Sequence, residues 1–297
     1  MYNFIHYHKT VGGIDMKCEF YNDINSFAKD VLPLVTQYET QNNLLLGNIN
    51  RELQGGNSNN LKIVIKDDSD EVILVGVQVD PFNLTLAEKN NKPYDDAIQL
   101  LVQTLYEKQI EIPGCIAVEG LADRFSTIYL KYFKKKLQTK FELNLLQAKT
   151  ITPPHKAKGY LRVATESDLF YLPYWLEAFA LECGLLADTI ENNFKKLSSH
   201  IEKKTLYIWE DEKPVSVCMQ GRHGEKGAAI SFVYTPPYYR GKGYASECVA
   251  YASQAILEKG FEHCYLFADK ANPISNKIYI HIGYEMVSLT KSICFIN

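Results

Sequence analysis

Apolar positions along the chain follow two rhythms, and the rhythms change in the same order twice. From Asp23, which can cap a first turn, Ile24, Phe27, Val31, Leu34 and Val35 fall three and four residues apart, the spacing of one helix face. Leu44, Leu45, Ile49 and Leu53 repeat that spacing until a Gly- and Asn-rich run at 55–60 stops it. Residues 61–66 and 72–79 then read as strands around the charged turn 67–70, and 83–87 as a third strand. A helix near 94–109, a strand at 115–119, a helix near 122–137 and an extended piece to about 150 complete the first half. The lysine run 134–136 reads as a solvated helix end favoured by the helix dipole.

Residues 151–155 hold Pro153 and Pro154 and read as an extended linker. Beyond it the order returns. A strand at 160–164 precedes an aromatic-rich helix opened by Ser167 and Asp168 and running through Glu182, and Asp188 opens another helix to about Lys203. Strands follow at 205–210, 215–221 and 228–234, then a helix at 244–259, a strand at 263–268, a short helix at 273–281 and closing strands. The halves share no visible residue-by-residue similarity, so the repeat is one of architecture. The fold class expected is α+β, with two tandem domains at 16–150 and 159–297, each a mixed, mostly antiparallel twisted sheet flanked by helices.

Composition narrows the function. The 297 residues are 46% hydrophobic and 23% charged with a formal net charge of −3, which suits a globular chain with a core and offers no broad basic surface for nucleic acid. No run of about 18 apolar residues occurs, so no membrane partner is expected. The seven cysteines stand singly, which reads as reduced, mostly buried thiols in a cytoplasmic protein, with no metal site. His6 and His8 alternate as on a strand and could chelate a metal, but no third ligand is near, and a solvated terminal segment is the better reading. Residues 1–15 read as an ordered leader or as an extension ahead of a start at Met16.

The stretch 231–245, Ser-Phe-Val-Tyr-Thr-Pro-Pro-Tyr-Tyr-Arg-Gly-Lys-Gly-Tyr-Ala, carries the chemistry. A strand runs into a Pro-Pro turn, then a tight loop with Gly241 and Gly243 opens directly into a helix. Unpaired N–H groups and the positive end of the dipole make such a helix start an anion site, and several converging donors suit a pyrophosphate. Arg240 and Lys242 add positive charge at its rim. Neither G-x-G-x-x-G nor a P-loop fits the spacing, and the plain alternative is a glycine turn between strand and helix.

After the next strand comes 271–284, in which Asn272, Ser275, Asn276, Tyr279 and Gly283-Tyr284 stand at characteristic intervals. Together the two segments resemble the GNAT superfamily of N-acetyltransferases, over about residues 160–287. The first half looks like a degenerate copy: its equivalent loop, 88–96, has no glycine and sets Asp95 and Asp96 at the helix start, so no nucleotide is expected there. The resemblance implies acetyl-CoA as co-substrate. Backbone groups of Val233, Tyr234 and Thr235 would bond the pantetheine arm, and amides of Arg240, Gly241, Lys242, Gly243, Tyr244 and Ala245 would cradle the pyrophosphate. Asn272 would face the pantetheine, with Ser275 and Asn276 nearby.

By the same resemblance Tyr279 is the general acid that protonates the departing thiolate, the alternative being a core tyrosine. A backbone N–H near Val233 or Tyr234 would hold the oxyanion. One departure stands out: the strand 228–234 lacks the family's glutamate, which leaves water, Glu182, Glu177 or His223 to take the amine's proton. Tyr238 replaces the Gln or Arg common at the first loop position. Phe170, Tyr171, Tyr174, Trp175 and Phe179 form a stripe that is either core or acceptor pocket. The resemblance therefore implies transfer of acetyl to a primary amine of a small molecule or amino acid. The alternatives are a CoA-binding module with little or no turnover, and an acetyltransferase acting on a protein or peptide amine.

Overall fold

The computed structural model describes residues 7–11, 14–56, 59–91 and 93–297, so the metal reading of His6 with His8 lies outside the described residues. Two compact units emerge. The first runs to Leu145 and includes Asp269–Ala271 and Val287–Asn297; the second comprises Leu146–Ala268 and Asn272–Met286.

The first unit is a twisted sheet covered on both faces. Strands β1 (Tyr7–Val11), β2 (Ile14–Phe20), β3 (Leu61–Lys66), β4 (Val72–Gln78) and β5 (Leu84–Glu88) pair antiparallel in chain order. β6 (Gly114–Val118) joins β5 in parallel. Successive residues of β3 bury on opposite faces: Val64 goes to the core under helices α1 (Ile24–Gln37) and α2 (Asn43–Leu53), and Ile63 and Ile65 to the core under α3 (Asp95–Glu107) and α4 (Glu119–Tyr132). Asp23 caps α1 by accepting from the Ser26 N–H at 2.7 Å, as its position predicts.

Three features of this unit differ from expectation. β1 and β2 place strands ahead of and across the start at residue 16. Helix α4 stops at Tyr132 rather than 137, because Phe133 is extended and stacks on Tyr129 at 4.2 Å. The lysine run therefore leads into strand β7 (Lys136–Ala148) instead of ending a helix. Finally, the closing segment is a strand, β13 (Glu285–Ile296), that pairs antiparallel with β6 in this unit, Thr290 opposite Val118. Buried Ile293 and Phe295, the latter stacked on Tyr129 at 4.1 Å, hold it there. The last eleven residues thus belong with the first unit, not with the domain drawn from sequence at 159–297.

The second unit repeats the architecture. Strands β8 (Tyr160–Val163), β9 (Leu206–Asp211), β10 (Lys213–His223) and β11 (Gly227–Tyr234) are antiparallel, and β12 (His263–Asp269) joins β11 in parallel. Helices α5 (Leu172–Glu182) and α6 (Ile190–Glu202) cover one face over Val217, Met219 and Phe232. α7 (Tyr244–Glu258) and α8 (Pro273–His281) cover the other over Cys218, Ile230 and Leu266. The predicted helix from Ser167 is split: a 3-10 turn at Glu166–Phe170 carries a Thr165/Asp168 capping box, and Pro173 opens α5. All seven cysteines are free, and five of them are buried.

Candidate functional site

The site begins with a bulge. Met219 of β10 faces Ser231 and Val217 faces Tyr234, so two steps on β10 span three on β11. The extra residue leaves Phe232 at φ 48°, its ring packed edge-on against Phe179 of α5 at 5.5 Å. On its other side β11 pairs with β12 only from Gly227 to Ala229. Past that point the two parallel strands part, and the far end of β11 presents main-chain groups to an open crevice.

The loop that follows supplies donors. A 3-10 turn at Pro237–Tyr239 leads to Gly241 at φ 77° and Gly243 at φ 87°, left-handed conformations that favour glycine. Gly243 is the N-cap of α7, and no side chain caps that helix. Its first amides therefore stay available to a ligand. Behind the loop, buried Glu247 accepts from the backbone N–H groups of Lys156 and Ala157 at 2.5 and 3.1 Å, so the linker braces the helix start.

These parts line one cavity of about 550 Å³. Its wall includes Val233, Tyr234, Thr235, Arg240, Gly241, Gly243, Tyr244, Ala245, Asn272, Ser275 and Tyr279, all singled out from the sequence. Lys242 and Asn276 are not in the lining; the Asn276 amide turns back to donate to the Asn272 carbonyl at 2.7 Å. The Asn272 side chain caps α8, accepting from the N–H groups of Ile274 and Ser275 at 3.2 and 3.1 Å. Thr235 turns its hydroxyl to Ser216, 2.8 Å away. Tyr279 is 7% exposed, packs 6.1 Å from Tyr284, and its hydroxyl has no hydrogen-bond partner among the described residues. Burial, with smaller contributions from Cys218 and Cys183, pushes its pKa well above the ordinary tyrosine value, so the phenol holds its proton.

Of the three side chains considered as proton acceptors, Glu182 lines the cavity, whereas Glu177 and His223 do not. His223 lies at the far end of β10, its ring against Phe261. The aromatic stripe divides as well. Tyr171 and Trp175 pack on the sheet, Phe170 and Tyr174 are exposed, and Phe179 reaches the cavity. Cys183, Tyr239, Ile274 and Ile278 complete much of the wall, and their side chains carried no separate sequence signal. Arg240, expected at the phosphate rim, instead aims its side chain at Glu182 and the Thr235 carbonyl.

The matching place in the first unit is built otherwise. Between β5 and α3 lie no glycines, Asp95 and Asp96 occupy the first helical turn, and Arg124 pairs with Glu88 and Asp95. Among the described residues no cluster of metal-ligating side chains occurs, and no helix is long and apolar enough to cross a membrane.

Residues 171–284, which apart from Asp269–Ala271 lie in the second unit, match the acetyltransferase (GNAT) family model. Solved structures extend the likeness to nearly the whole chain. A GNAT-family acetyltransferase from Colwellia psychrerythraea is 10% identical, with a TM-score of 0.63 over 94% of this chain and 98% of its own. A GCN5-related N-acetyltransferase from Sphaerobacter thermophilus is 12% identical, with a TM-score of 0.65 over 95% and 96%. A tandem GNAT protein from the clavulanic acid biosynthesis pathway is 9% identical, with a TM-score of 0.58 over 94% and 98%. At such identities the likeness is one of fold: two tandem GNAT-like domains, the α+β architecture expected. Among curated proteins no sequence matches.

Proposed function

We propose that the second unit is an acetyl-CoA-dependent N-acetyltransferase that passes an acetyl group to a primary amine of a small molecule or amino acid by direct attack in a ternary complex. One observation carries this reading: a single cavity is lined by glycine-loop residues, the end of β11 beyond its pairing with β12 and a buried phenol whose hydroxyl has no partner among the described residues. Acetyl-CoA supplies the activated thioester. The amides from Arg240 through Ala245 hold its diphosphate, and the backbone of Val233 to Thr235 pairs with the pantetheine arm as a strand would. Asn272 and Ser275 bound the arm from the start of α8.

Tyr279, kept neutral by burial, donates its proton to the departing thiolate. A main-chain N–H near Val233 or Tyr234 stabilises the oxyanion. The amine's proton leaves through Glu182 or water. Phe179 gives the acceptor an apolar surface. Free thiols throughout suit a reducing compartment, which supports the cytoplasm.

The test is a panel of amines scored by release of free thiol, run on the wild-type chain and on Tyr279→Phe. Loss of the acid lowers kcat by about a hundredfold, the low end for such catalysis, with CoA affinity unchanged. Equal turnover by the variant removes Tyr279 from the chemistry. If CoA binds yet no amine releases thiol, a binding module without turnover takes the place of the enzyme.

A further inference from the structure

Arg240 belongs to the phosphate loop, yet its side chain serves a different anion. Its Nη2 donates to both carboxylate oxygens of Glu182, at 2.9 and 2.7 Å, and its Nε donates to the Thr235 carbonyl at 2.8 Å. The guanidinium also lies 5.7 Å from the centre of the Tyr234 ring. Glu182 is the last residue of α5, and both partners line the cavity. The pair is half exposed, 45% for Arg240 and 46% for Glu182, so water competes for it and its net strength is small.

We propose that Arg240 serves two anions in turn. It holds Glu182 until the cofactor arrives, moves to the diphosphate on cofactor binding, and so releases the Glu182 carboxylate to hold the acceptor's ammonium, which gives up its proton to water before the amine attacks. The inference rests on the proposed acetyl-CoA site and adds to it a cation-binding residue and an order of events. A diphosphate carries more than one negative charge and is met at the same loop by several amides, so it outbids a single half-solvated carboxylate for the guanidinium. Once unpaired, Glu182 is an anionic group in a largely apolar wall beside Phe179 and Cys183, which selects a cationic acceptor over a neutral one.

The experiment is calorimetric titration of CoA into the wild-type chain, Glu182→Gln, Arg240→Gln and the double variant, with melting curves to confirm folding. Removing the competing carboxylate tightens CoA binding by about twofold to fivefold, the strength of an exposed pair, in Glu182→Gln. Arg240→Gln weakens binding, and the double variant matches Arg240→Gln, because without the guanidinium nothing is left to compete for. Wild-type or weaker affinity in Glu182→Gln overturns the exchange; Glu182→Ala repeats the test if the glutamine variant melts early. For the amine that turns over best, Glu182→Gln raises KM about tenfold, as loss of one charge-assisted contact does. A fall in kcat at constant KM overturns the cation-binding role and makes Glu182 the proton acceptor. Failure of the wild-type chain to bind CoA defeats the underlying site, an outcome distinct from either.

Discussion

Replacing Gly241 by Asp tests the phosphate loop with a charge placed where the cofactor's own charge should lie. A Cβ built on Gly241 meets nothing within 4 Å, so a side chain has room there. The position sits at φ 77°, and a non-glycine residue pays about 1 kcal/mol for that backbone, with Asp and Asn among the most tolerant. Strain is therefore common to Gly241→Asp and Gly241→Asn, and charge separates them. Like charges some 5 Å apart at a wet surface repel by about 1 to 2 kcal/mol, since the energy at 4 Å ranges from about 1 kcal/mol in water to about 4 kcal/mol at an effective dielectric of 20. The aspartate should then bind CoA about 5- to 30-fold more weakly than the asparagine, while both variants melt alike. Salt adds a second signature: the gap should narrow as ionic strength rises from about 0.1 M, where screening acts over about 10 Å, towards 1 M, where it acts over about 3 Å. Calorimetry at two salt concentrations measures both. Equal affinity of the two variants at low salt would refute a diphosphate held at this loop.

The same titration counts sites. Asp95 and Asp96 at the start of α3, with Arg124 already committed to Glu88 and Asp95, predict one CoA per chain, and two equivalent sites would show the first unit to be misread. A third prediction concerns acid stability. Burial, the largest single influence, raises the Asp168 carboxyl, but the hydrogen bonds from Arg162, the Thr165 N–H and Tyr171, with the Arg162 charge, together outweigh it and bring its pKa from 3.8 to about 2. A depressed folded-state pKa stabilises above the unfolded value and is lost as pH falls from about 4 to 2, for a total of about 2 kcal/mol. Melting curves of wild type and Asp168→Asn from pH 5 to pH 2.5 should converge as the pH drops; parallel curves would remove this carboxylate from the acid response.

Legibility from sequence followed the range of the interactions. The loop around Gly241 and Gly243 and the uncapped start of α7 depend on residues within a few positions of one another and lie where the motif put them, whereas Asn272, read as facing the pantetheine, spends its side-chain oxygen capping α8. The aromatic stripe of α5 was visible as a pattern, but whether it faced core or cavity depended on what packs above it. β2 was legible and passed over: Met16, Cys18 and Phe20 alternate with Lys17 and Glu19, yet the segment is short and precedes the first clear helix.

By itself, then, the sequence determined most of the succession of helices and strands, the glycine loop that opens α7 and the place of Tyr279 on α8, because these rest on local backbone preference and on side-chain spacing along one element. Only the tertiary structure decided which strand each surface joins. The bulge at Phe232 between β10 and β11, the parting of β11 from β12 beyond Ala229, the capture of the last strand beside β6, and the reach of Arg240 to Glu182 all involve residues far apart in the chain. No neighbouring residue encodes such a pairing; it is settled by the competition of whole faces for burial, which exists only once the sheets have formed.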